Sequence, residues 1–138
     1  MFTSSYLGHI LDQHLSDNDD VLWEISNMFV GTNVRCRKFS RCFINMKIKL
    51  FKSYCMCLYG TALWCCYKIG TMNKLKSAYN RCLKIFFGCS QLFSVMQLLQ
   101  ELGLHSWEML IINCQSVFVK SWHICENRLI SHLCMLGL

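Results

Sequence analysis

The chain has 138 residues, enough for one domain with a buried core, and a formal net charge of +6 from 14 Lys and Arg against 8 Asp and Glu. Its 11 cysteines are an odd number, and residues 1–10 lack the basic start and apolar run of a secretory signal, so reduced thiols in the cytoplasm or nucleus are expected over a secreted disulfide framework. The charge is one-sided: Arg35, Arg37, Lys38, Arg41, Lys47, Lys49, Lys52, Lys68, Lys74, Lys76, Arg81 and Lys84 form a basic block, no Asp or Glu occurs from Ile25 to Gln100, and a nucleic acid is therefore a more natural partner than carboxylate-rich two-metal chemistry.

Tyr6-Leu7-Gly8-His9-Ile10-Leu11 lacks helical periodicity and runs into polar Asp12-Gln13-His14, which predicts a short N-terminal β-strand or hairpin arm within residues 1–15. From residue 16 to 138 the pattern is helical. Ser16 with Asp19 three positions on has the form of a capping box, and Asp17, Asp19 and Asp20 suit the positive end of a helix dipole. The helix that follows, at about 17–38, places Val21, Ile25, Met28, Thr32 and Phe39 on one face. Gly31 inside it costs about 1 kcal/mol relative to Ala.

A second helix, at about 43–66, is predicted from the stripe Ile44, Ile48, Phe51, Cys55, Leu58 and Ala62, with Lys49 and Lys52 outside that stripe. In a third, at about 72–87, Met72, Leu75, Tyr79, Cys82 and Phe86 face one way while Lys74, Arg81 and Lys84 cluster almost opposite. Gly88 is its expected stop. Ser94 with Gln97, and Gly103 after Leu102, bracket a short fourth helix. Ser106 opens a long helical stretch to about 136, with Trp107, Ile111, Cys114, Phe118, Cys125 and Leu129 on one side and a break expected near 122–127.

Proline is absent, so uninterrupted helices are permitted nearly everywhere. An apolar fraction of 54% and a mean hydropathy of +0.29 are high for a free-standing soluble domain and point to surface intended for a neighbour. The uncharged run from 53 to 67, bounded by Lys52 and Lys68, is 15 residues long and falls short of the roughly 18–20 needed to span a bilayer. It reads as the buried half of an amphipathic helix.

Several blocks occur in a familiar order: Tyr6-Leu7-Gly8-His9-Ile10-Leu11, Asp17-Asn18-Asp19-Asp20, Arg37-Lys38-Phe39-Ser40, Leu50-Phe51-Lys52-Ser53-Tyr54-Cys55, Leu58-Tyr59-Gly60 and Leu63-Trp64. Leu75-Lys76-Ser77-Ala78-Tyr79-Asn80, Phe86-Phe87-Gly88 and Leu102-Gly103-Leu104 follow. Together they cover nearly the whole chain, which resembles the region after the palm in non-LTR (LINE-type) retrotransposon reverse transcriptases. The resemblance implies a mainly α fold: a helical, thumb-like bundle at 16–138 that is not a complete independent domain, preceded at 1–15 by a strand or hairpin remnant of the palm edge.

It implies that Tyr6, Leu7 and Gly8 stand where the family grips the primer strand. It further implies that the partner is an RNA or DNA template–primer duplex, together with a missing palm domain. The family's metal-binding aspartates lie upstream of the tyrosine-leucine-glycine block, so the expected protein is a piece of an RNA-directed DNA polymerase that is not an enzyme on its own. No cofactor is expected here, although the parent polymerase would use Mg. The alternatives are a shortened reading of a longer frame that encodes an active polymerase, and a small membrane or interaction protein built on the 53–67 run.

Within this frame the expected nucleic-acid contacts are Arg35, Arg37, Lys38, Arg41, Lys49, Lys52, Lys74, Arg81 and Lys84. A charged helix face is ordinarily just solvated, but the missing acids favour a polyanion here. Asp19-Asp20 resembles an adjacent metal-binding pair only superficially, because it sits at a helix start. His123, Cys125, His132 and Cys134 repeat a His-x-Cys spacing, yet residues two apart on a helix diverge by about 200°, so ordinary core cysteines and surface histidines are expected instead of a zinc site. Tyr54, Tyr59, Trp64 and His9 read as packing residues before they read as base-stacking ones.

Overall fold

A computed structural model describes residues 3–6, 9–14, 16–55, 58, 60–64 and 66–136. Two strands, β1 (Thr3–Tyr6) and β2 (His9–Asp12), pair antiparallel in the register Thr3↔Asp12 to Tyr6↔His9. The stretch read from sequence as one strand is thus divided between two: Tyr6 closes β1, His9 opens β2, and Leu7 and Gly8 lie outside the described residues. Of the two sequence expectations, strand or hairpin, the hairpin is what forms.

Six helices follow. The first, α1 (Asn18–Lys38), matches the periodicity closely, with Val21, Met28 and Thr32 buried. Its start is not the expected capping box. Ser16 Oγ accepts from the Asn18 backbone N–H at 3.4 Å and from Asn18 Nδ2 at 2.6 Å, and Ser16 stands one residue before the N-cap position, which Asp17 occupies. Asp17 instead reaches across the fold: its N–H donates to the Cys66 carbonyl at 2.9 Å, and its Oδ2 accepts from the Cys66 N–H at 2.7 Å. Asn18 Oδ1 accepts from the Lys68 N–H at 2.9 Å.

Those bonds set the start of α3 (Ile69–Phe87) beside the start of α1. At the far ends the Cys36 thiol donates to the Ile85 carbonyl at 3.7 Å, and midway the Arg81 guanidinium lies 5.8 Å from the centroid of the Phe29 ring. The two longest helices therefore run side by side in the same direction. Parallel helices align their dipoles, so both positive ends meet at one end of the molecule, where Asp17, Asp19 and Asp20 offset them. Both negative ends meet at the other, where Arg35, Arg37, Lys38 and Lys84 occupy the last turns.

The second helix, α2 (Ile44–Tyr54), is half as long as the periodicity predicts. The apolar spacing does continue through Cys55 and Leu58, which are buried, but the backbone leaves the helix there. Gly60 takes φ +83°, and Thr61–Leu63 form a single 3₁₀ turn. The cause is tertiary: the segment must deliver Trp64, Cys66 and Lys68 to the start of α1, a destination that a helix running on to 66 would miss.

The core forms where α2 lies against α1 and α3. The Phe51 ring is fully buried, with ring centroids 6.1 Å from Tyr79, 5.3 Å from Phe86 and 5.6 Å from Phe87. Tyr79 is also buried and donates its hydroxyl to the His105 carbonyl at 3.1 Å, while Trp107 closes the other side of its ring at 5.6 Å. Burial raises the Tyr79 pKa and holds the phenol neutral. Aromatic pairs at such offsets add about 0.5–1.5 kcal/mol each beyond the area they bury.

Where sequence signals are local, the helices end where expected. The third helix terminates at Gly88 with φ +68°, and the N–H groups of Gly88 and Cys89 donate to the carbonyls of Ile85 and Lys84. In α4 (Val95–Leu102), Ser94 Oγ accepts from the Gln97 N–H and Gly103 closes the helix. The Gln97 amide, however, reaches forward to Glu101 instead of back to Ser94, so half of the capping box forms. The expected break divides α5 (Trp107–Ile124) from α6 (Arg128–Met135).

Candidate nucleic-acid interface

The nine expected contact residues fall into three groups on the folded chain, while Lys68 stands apart, its backbone N–H bonded to Asn18 at the opposite end. The first is the basic end of the α1/α3 pair. Arg37 and Lys38 are exposed in the last turn of α1, and Arg41 is exposed in the turn that follows. Arg35 is half-buried, its guanidinium 4.8 Å from the centroid of the Tyr54 ring. The Gly31 position explains that placement, since a Cβ there would come within 2.6 Å of Arg35 Nη1. The residue that weakens α1 on propensity gives the arginine its room.

The second group, Lys49 and Lys52, stands on the exposed face of α2. The third is the outer face of α3, where Lys74 and Arg81 are exposed and Lys84 is half-buried, its Nζ donating to the Gln91 carbonyl at 2.6 Å. At 1.5 Å rise per residue these three cations span about 15 Å of helix. Lys76 differs from its neighbours, because it forms an ion pair with Glu108, a residue 32 positions away at the start of α5. That pair holds the Glu108 carboxyl below its usual range, the Lys76 hydrogen bond being the main cause. The sequence block therefore lacks acids, but one of its lysines acquires a partner through the fold.

The end opposite the cations is a closed polar knot. Asp20 is buried and accepts three hydrogen bonds: from His9 Nδ1 and Trp64 Nε1 to Oδ2, each at 2.8 Å, and from the Ile10 N–H to Oδ1 at 2.9 Å. Burial works against the charge of this carboxylate, yet the bonds from His9, Trp64 and Ile10 outweigh it and hold the pKa below the ordinary aspartate range. One turn on, burial and then the neighbouring Asp20 charge push Glu24 upward. Gly60 belongs to the same knot, since a Cβ on it would fall 2.1 Å from His9 Cε1.

Sequence reasoning placed Asp20 among helix-start charges, and it is instead a tie between β2, α1 and the segment before α3. His9 and Trp64 read correctly as packing residues, but the hydrogen bonds that join them span 11 and 44 positions. No local pattern marks them. Nor does the Asp19-Asp20 pair suit a divalent cation, because three N–H donors already point at the Asp20 carboxylate where a metal would need lone pairs. Among the described residues, no group of three or more His, Cys, Asp or Glu could hold a metal ion. His123 and Cys125 are exposed at and just beyond the end of α5, and the side chain of Cys134 lies outside the described residues.

Tyr6 of the expected primer-gripping block pairs with His9 in the hairpin, beside the polar knot and at the acidic end of the α1/α3 pair. It is not grouped with the cations. Leu7 and Gly8, the other two residues of that block, lie outside the described residues. No protein-family model, curated protein or solved structure matches this chain.

Proposed function

We propose that this chain is a non-catalytic helical piece of the kind that follows the palm in non-LTR retroelement reverse transcriptases, and that its own activity is weak, sequence-independent binding of RNA or DNA. The observation that carries the reading is the gathering of exposed Arg37, Lys38 and Arg41 at one end of a parallel helix pair, with Lys74, Arg81 and Lys84 as a separate group along α3. Cations at helix C-termini also steady the helices themselves, by about 0.3–1 kcal/mol each. Arg41, beyond the end of α1, and Lys49, more than a turn before the end of α2, stand outside that role.

Contact with five to eight phosphates predicts that log affinity falls with log salt at a slope of about −4 to −7. The test is anisotropy of a labelled RNA–DNA hybrid across a salt series, for the native chain and for Arg37→Glu/Lys38→Glu/Arg41→Glu. The variant is expected to flatten the slope by about 3. Salt-insensitive binding, or none at low salt from folded protein, removes the proposal.

A second reading, that the chain belongs to a longer polymerase, is favoured by its surface. The accessible area is 9826 Å², against about 7,450 Å² expected for a compact monomer of 16.2 kDa. Exposed apolar side chains include Ile112, Val117, Val119, Ile124, Leu129 and Met135 of the last two helices, all more than half exposed. An in-frame palm with its adjacent aspartates in the DNA upstream of Met1 is the observation that establishes this reading. The membrane alternative has less behind it: the 53–67 run leaves the helix at Tyr54, and among the described residues no helix is long and apolar enough to cross a bilayer.

A further inference from the structure

Two open cavities lie end to end along α3 and share Ser77 and Arg81 in their linings. The first, of about 450 Å³, is the furrow between α1 and α3; the second, of about 460 Å³, continues between α3 and the segment leading into α4. One wall of the first is apolar, made by Leu22, Ile25 and Phe29 of α1. Asn73, Ser77 and Asn80 supply uncharged hydrogen-bonding groups along the trough, and Lys74, Arg81 and Lys84 supply positive charge. Among the described residues, no Asp or Glu lines either cavity.

The composition is that of a surface for a flexible polyanion with flat apolar faces. Cations track a phosphate backbone, apolar and aromatic walls take base faces, and amides and hydroxyls tolerate the edges of any base. Arg81 already lies over the Phe29 ring, so a planar cation and an aromatic wall stand together where the two cavities meet. Lys84 is held at the second cavity by its bond to the Gln91 carbonyl. A double helix buries its bases and offers phosphates on a convex surface, which suits the basic end of the helix pair. It cannot lower a base into a trough the size of a small-molecule pocket.

We infer that the Ser77–Arg81 furrow is a binding site for single-stranded RNA or DNA, distinct from the duplex contacts of the basic end. The inference rests on the nucleic-acid reading above and goes beyond it in strand state and location. From Gly70 to Lys84 the trough follows about 21 Å of α3, room for roughly four nucleotides, the low end of known groove sites.

The test compares the full chain with the double variant Gly70→Leu/Ser77→Leu, which fills the trough without altering charge. Space is available: nothing lies within 4 Å of a Cβ at Gly70, and Ser77 is exposed. Circular dichroism confirms that the variant is helical. Anisotropy is then read with a labelled 12-nucleotide single strand and with the RNA–DNA hybrid of the same sequence, each competed with inorganic polyphosphate. The expected result is a single-strand affinity that falls about tenfold in the variant, the worth of one lost base stack, with hybrid binding unchanged and polyphosphate a poor competitor.

Equal losses for both strand states, no loss for either, or displacement of the single strand by polyphosphate as effective as its own unlabelled copy each overturns the furrow site. Salt-dependent hybrid binding persisting in those cases leaves the general nucleic-acid reading intact. Absence of binding to every probe at low salt removes both.

Discussion

The two ends of the parallel α1/α3 pair face the same electrostatic problem with opposite sign, and the chain treats them differently. At the acidic end Asp17, Asn18 and Asp20 turn inward and are consumed by hydrogen bonds to residues 9, 10, 64, 66 and 68. At the basic end Arg37, Lys38 and Arg41 stay exposed, although Arg35 rests on Tyr54. Charge that is buried and saturated with partners fixes the fold. Charge left in water with its valence unspent is free to meet another molecule, and the same helix dipoles favour both outcomes.

The largest test of that contrast is Asp20→Ala. Removing the carboxylate strands a buried indole N–H and a backbone N–H and releases His9, at an expected cost of roughly 3 kcal/mol. Arg37→Ala or Lys38→Ala at the opposite end should stay within about 1 kcal/mol. Urea unfolding followed by circular dichroism measures both, and comparable losses at the two ends would erase the distinction.

Acid gives the next largest effect. Because the folded Asp20 pKa lies below its unfolded value of about 3.9, its contribution is complete above that pH and is lost as pH falls through the folded value. Glu24 works in the other direction, since a raised folded pKa makes the folded state the better proton binder as pH drops towards the unfolded value of about 4.3. Stability should therefore rise slightly in mild acid and then fall steeply below about pH 4. Asp20→Asn should remove the steep limb and lessen the rise, because part of the upward push on Glu24 comes from the Asp20 charge.

Thiol reactivity sharpens the contrast between enclosed and open groups. Cys82 is fully buried, and burial pushes its pKa up to about 11, so alkylation by iodoacetamide at neutral pH should wait on unfolding. Exposed Cys66 and Cys125 should react within the ordinary time course of free thiols, and peptide mass mapping distinguishes them. The smallest effect is that of Gly31→Ala. The gain in helix propensity, up to about 1 kcal/mol, competes with displacement of the Arg35 guanidinium from Tyr54, and unfolding measurements should show a change no larger than that gain.

What was legible in the sequence was local. The span of α1, the Ser94 and Gly103 ends of α4 and the break after Ile124 each follow from side chains within a few positions of the feature they set. Misreadings occur where a distant partner intervenes. The stripe of α2 continues in sequence to Ala62, but the demands of Asp17, Asn18 and Asp20 on residues 64–68 end the helix at Tyr54. The candidate cations were found because charge is visible as composition. The furrow was not, because its apolar wall and its polar stripe lie on different helices about 50 positions apart.

The last helix has a practical consequence. None of its described residues is buried, and it is joined to α5 by the exposed stretch Cys125, Glu126 and Asn127. A protease entering there would meet three accessible residues and remove none of the described buried side chains, so limited digestion should trim the chain to a stable product ending near Ile124. That product, and not the full chain, is the natural starting point for crystallisation, because it sheds the exposed side chains of Leu129 and Met135 while keeping every residue that is buried among those described.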